Sequence, residues 1–142
     1  MNNENLDRKA AENFLEYSNI LDGDYSVDYW SDVGIDEAVK VLKKFESKDW
    51  NNLVEKLPNR TTTWQTRCAE TLSEASPENA IPILLNMLLS KQQDVLEASL
   101  DSLNSFKQFG KHISFSSEQQ QLLETVSNKN DLIGRIALNL KD

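Results

Sequence analysis

Five aspartates, Asp22, Asp24, Asp28, Asp32 and Asp36, are interleaved with Tyr25, Tyr29 and Trp30, and no Lys or Arg occurs between Lys9 and Lys40. Carboxylates without nearby counter-ions attract cations over a distance, and Tyr and Trp rings offer wide contact with little conformational freedom to lose. The chemistry implied is the gripping of something basic rather than the making of bonds, and these eight side chains form the candidate partner-binding set. Charge along the whole chain agrees. Met1 to Glu37 holds ten acidic and two basic residues, whereas Ala38 to Asp142 holds thirteen of each, so the first quarter supplies the entire net charge of −8.

Catalytic readings are weaker. A nucleophile needs a base beside it, and His112, the one histidine, sits next to Lys111 in a Gly-containing loop where it reads as exposed or locally bonded. The one cysteine, Cys68, falls mid-helix among apolar positions and reads as a small buried hydrophobe; alone it excludes an internal disulfide and a Cys-based zinc site. Asp22, Asp24, Ser26 and Asp28 fit the first four odd positions of a calcium-binding EF-hand loop, yet Val27 stands where Gly is needed and Val33 where the bidentate Glu belongs. There is no Gly-rich phosphate loop and no His-Glu-x-x-His. The expectation is a protein that is not an enzyme, with no cofactor and no metal.

The elements that carry these residues read as helices. With four Gly and three Pro in 142 residues, turns are few and elements long. Apolar residues recur at three and four: Leu6, Ala10, Phe14, Tyr17 and Leu21; Ile35, Ala38, Val39, Leu42 and Phe45; then Trp50, Leu53, Val54 and Leu57, ended by Pro58. Thr62 with Gln65 reads as a capping box for a helix bearing Trp64, Ala69 and Leu72, and Ser76-Pro77 as the start of the next, which Pro82 should bend or restart. Val95 to Phe106, a Ser116- or Ser117-capped segment and Leu132 to Leu140 complete the set. The fold class expected is all-α, about seven or eight helices in one domain over 1–142, with an acidic aromatic region at 1–37. Gly23 and Gly34 bracket the aspartates, whose spacing of four would set like charges along one helix face, so an irregular loop or a short imperfect helix is expected there. Alternation of Tyr25, Val27, Tyr29 and Val33 leaves a short hairpin as the one competing strand option.

Displacing the sequence by thirty-one residues brings Trp64 onto Val95, Ala69 onto Leu100 and Leu72 onto Leu103, the mark of stacked helical hairpins. Trp64 to Phe106, with its Ala80-Ile81-Pro82-Ile83-Leu84-Leu85 helix and Asp94-Val95 opening the next unit, resembles the HEAT repeat family. That resemblance implies a HEAT-like solenoid of antiparallel hairpins, with the repeat region at 61–127. In size, acidity and helical layout, and in Trp64-Gln65-Thr66-Arg67-Cys68-Ala69-Glu70, the chain is also similar to immunity proteins of bacterial contact-dependent growth inhibition and polymorphic toxin systems. The resemblance implies a one-to-one complex with a cognate toxin and no catalysis. A basic, nuclease-type toxin domain would be neutralised by electrostatic and steric blocking, because a protein that contacts phosphates must present Lys and Arg. The alternative is a HEAT-like scaffold or adaptor whose contacts lie on the helices between Trp64 and Phe106. An isoelectric point near 4.7 disfavours direct binding to nucleic acid. No signal peptide or bilayer-spanning segment is legible, so a cytoplasmic location is expected.

Overall fold

Three- and four-residue apolar spacing becomes helix along the whole described chain. The computed structural model describes the backbone of residues 3–141 and the side chains of 12–141, so Leu6 and Ala10 of the first apolar face lie outside the described side chains. The elements are α1 (Asn3–Leu21), α2 (Val27–Tyr29), a π-helical turn (Trp30–Gly34), α3 (Ile35–Leu42), α4 (Ser47–Lys56) and a 3-10 turn (Leu57–Asn59). There follow α5 (Thr62–Leu72), α6 (Pro77–Met87), α7 (Gln93–Gln108), α8 (Ser117–Ser127) and α9 (Leu132–Lys141). Because α2, the π turn and α3 run on without a break, the described residues form eight helices and no strand.

Contacts divide the chain into two compact units, Met1–Ala75 and Ser76–Asp142. The division falls at Ser76-Pro77, inside the stretch that resembles HEAT repeats, so α5 and α6 belong to different units.

In the first unit α1 packs against α3, α4 and α5. Phe14, Tyr17 and Leu21 point from α1 into a core completed by Leu53, Trp64, Cys68 and Leu72, all buried. Trp64 meets Tyr17 edge to face, centroids 6.1 Å apart at 87°, and its indole Nε1 donates to the Ser18 carbonyl and hydroxyl, each at 3.2 Å. The Thr71 hydroxyl donates to the Cys68 carbonyl at 2.9 Å, so the Tyr17 hydroxyl is the donor in its 2.7 Å bond to Thr71 Oγ1. Asp49 is fully buried, and its carboxylate joins α1 to the start of α4. Oδ1 accepts the Phe14 N–H at 2.9 Å, while Oδ2 accepts the Glu46 N–H at 2.9 Å and Asn13 Nδ2 at 3.2 Å. The cap of α5 lies one residue earlier than expected. Thr61 Oγ1 accepts the Trp64 N–H at 3.1 Å, and Gln65 Nε2 donates to the Arg60 carbonyl at 2.9 Å instead of closing a capping box.

In the second unit α7 packs against α6 and α9, and α9 against α8. Pro82 lies within α6, which continues past it to Met87. α7 ends on Gly110 at φ 84°, with the Gly110 N–H bonded to Lys107 and the Lys111 N–H to Phe106, a Schellman motif that needs the glycine. Ser116 and Gln119 form the capping box of α8, and Gln119 Nε2 also donates to the Leu85 carbonyl at the end of α6 at 3.0 Å.

Two outcomes test this packing. Asp49→Ala removes the acceptor of the Phe14 and Glu46 N–H groups, while Asn13 Nδ2 keeps the Lys44 carbonyl, and is expected to cost about 2 kcal/mol or more, seen as a lower urea midpoint at an unchanged slope. Burial raises the Tyr17 phenol well above its ordinary 10.0, with neighbouring Cys68 adding to the rise, and burial pushes the Cys68 thiol from 9.0 up to about 12. Both are neutral in the fold, so above pH 9.0 the unfolded chain holds fewer protons than the native one. Stability is therefore full below that pH and falls as pH rises towards 12, by about 1.4 kcal/mol per unit from the thiol alone. Urea midpoints between pH 8 and 11 should show this decline, and Cys68→Ala should make it shallower.

Candidate partner-binding surface

After Leu21 the chain turns through 22–26 and re-enters helix at Val27, where Ser26 Oγ accepts the Tyr29 N–H at 3.1 Å. A capping serine and an acidic residue in the first turn favour a helix start, and Asp28 occupies that turn. This offsets the repulsion among aspartates, so helix begins eight residues before Ile35, the first residue of the expected apolar pattern. The helix is imperfect. At the π turn the Ile35 N–H reaches back five residues to the Trp30 carbonyl, which admits one extra residue into the turn.

Trp30 faces inward at 5% exposure, and its Nε1 donates to Glu70 Oε1 of α5 at 3.1 Å. Both glycines serve as seats for rings rather than as helix breakers. A Cβ on Gly34 would lie 2.6 Å from Cε3 of Trp30, and one on Gly23 would lie 2.0 Å from Cζ of Tyr25. Tyr25 stacks on Tyr29 with centroids 5.2 Å apart and lies nearly parallel to Trp30, at 14° and 6.3 Å. Arg67 of α5 closes the arrangement. Its Nη1 donates to the Leu21 carbonyl at 2.9 Å and the Gly23 carbonyl at 2.7 Å, and its guanidinium carbon lies 5.1 Å from the ring centroids of both Tyr25 and Trp30. Carbonyls at a helix C-terminus carry partial negative charge and ring faces are electron-rich, so both attract the cation.

Asp22, Asp24, Asp28, Asp32 and Asp36 are all exposed, and none forms an ion pair with another described residue. Tyr29 is 49% exposed and Tyr25 half-buried. Trp30 is the correction: expected among the partner contacts, it lies beneath the surface because its ring stacks and its indole N–H is bonded to α5. Two residues missing from the expected set, Val27 at 81% and Val33 at 38% exposure, present apolar surface between the carboxylates. Their signal was visible as isolated valines in a polar run. Arg67 and Glu70 had none, since their partners lie some forty residues away.

Elsewhere His112 is exposed and bonds Ser114 Oγ at 3.1 Å, and Cys68 is buried beside Tyr17. Among the described residues no three His, Cys, Asp or Glu side chains gather as metal ligands, and no helix is long and apolar enough to cross a membrane. No family model, no curated protein and no solved structure matches the chain.

Gly34→Ala tests the ring seat. Alanine favours helix over glycine by about 1 kcal/mol, but overpacking a buried ring costs about 1–3 kcal/mol. The variant is expected to be less stable than the parent, with a changed near-ultraviolet circular dichroism signal from displaced Trp30. A gain in stability with an unchanged spectrum would contradict the seat.

Proposed function

We propose that this chain is an immunity protein that binds a basic, nuclease-type toxin domain one to one and neutralises it by covering its cationic surface. The observation that carries this is the exposed set of Asp22, Asp24, Asp28, Asp32 and Asp36, none in an ion pair with another described residue, around exposed Val27, Tyr29 and Val33. Carboxylates that repel one another gain nothing for folding, and a cationic partner relieves them. The apolar side chains supply the contact that long-range attraction lacks, because charge at the rim of an interface governs encounter while desolvated anchors govern residence. Tyr29 and the two valines are these anchors, and Trp30 supports them from below. A toxin held in this way loses access to phosphates without any chemical step. The protein works in the cytoplasm of the cell it protects and acts on no nucleic acid itself.

Binding to candidate basic toxin domains is expected to weaken as salt rises, because exposed charges are screened beyond about 8 Å at physiological ionic strength. Asp24→Asn, Asp28→Asn and Asp32→Asn combined should slow association about tenfold or more while circular dichroism and urea midpoint stay near those of the parent. Affinity that ignores both salt and the triple substitution would move the contacts to the helices between Trp64 and Phe106, as an adaptor requires.

A further inference from the structure

Arg67 stands against the acidic segment yet pairs with none of its aspartates. Had its role been to neutralise them, its guanidinium would face a carboxylate. It faces inward instead, spending its donors on two carbonyls of the turn and its planar face on Tyr25 and Trp30. We propose that Arg67 is a latch that holds residues 22–36 in the shape that captures a cationic partner, which makes it a positioning residue for the surface described above. The partner half of this inference rests on the immunity reading; the latch half does not.

The linkage is continuous. Arg67 Nη1 ties the end of α1 to Gly23, and its cationic face holds Tyr25 against the Gly23 backbone. Tyr25 in turn stacks under Tyr29, which is half in solvent. A second strand of the same linkage runs from Arg67 to Trp30, which Glu70 also holds one helical turn along α5. Ordering of the exposed ring is thereby prepaid in the free protein, and a flexible segment would have to supply that ordering on binding. Lysine does not replace arginine here, because a point ammonium cannot bond both carbonyls while laying a planar face across two rings.

The test turns on a sign. Removing the positive charge that contacts a segment bearing five carboxylates should tighten binding to a cation if only Coulomb attraction matters. A latch predicts the reverse. With a nona-arginine peptide as probe at low salt, Arg67→Gln is expected to bind about tenfold more weakly, through faster dissociation with association within about threefold of the parent. Arg67→Lys, which keeps the charge, should weaken binding in the same direction and serves as the comparison if Arg67→Gln folds poorly. Amide exchange across 24–36 in the free protein should quicken in both variants, with exchange in α7 unchanged. Binding by Arg67→Gln as tight as the parent or tighter, or unaltered exchange across 24–36, would overturn the latch. If the parent binds no peptide, the docking reading fails, and amide exchange alone decides whether Arg67 holds the segment.

Discussion

In the acidic segment one guanidinium meets several demands at once. The carbonyl end of α1 needs donors, two rings need a cation or a packed surface, and the chain must reverse over a glycine. Arg67 meets these demands from a single position on α5, at 2.9 and 2.7 Å from two carbonyls and 5.1 Å from two ring centroids. Its charge is thereby turned inward, and the aspartates keep theirs for the outside. A charge-balanced reading of the same residues would have hidden this, since Arg67 and any of the five carboxylates could have formed an ordinary surface pair.

α5 accordingly works on two faces. Trp64, Cys68 and Thr71, spaced by four and three, look into the core and meet α1 through Tyr17 and Ser18. Arg67 and Glu70, also three apart, look toward the aromatic segment. A helix that is moderately amphipathic by composition is therefore committed on both sides. The residues that face the aspartate segment and those of the buried Tyr17, Thr71 and Cys68 network lie within one helical turn of each other on α5.

Much of the helical layout was legible because its causes are local. The capping serine at 116 or 117, Ser76-Pro77 and the recurrence of Phe14, Tyr17 and Leu21 each declare a helix within a few residues. Thr61 and Thr62 show the limit of that resolution, for adjacent hydroxyls fit the same cap and only the bond to the Trp64 N–H chooses between them. The acidic segment was legible in its charge and illegible in its construction. Trp30 looks exposed when read beside its aspartates, yet it is buried and bonded to Glu70, a residue distant in sequence. Gly23 and Gly34 look like interruptions, and a sequence does not say that a ring will rest on them. The division at Ser76 was also invisible, because no run of Gly or polar linker announces it and a Ser-Pro pair serves equally well inside a domain.

The extra residue in the turn from Trp30 to Gly34 gives the segment a built-in phase setting. A regular α-helix advances about 100° per residue, so a one-residue deletion there would wind the turn tight and swing Val27, Asp28 and Tyr29 around the axis relative to α3. Length, and not composition alone, thus selects which side chains look outward.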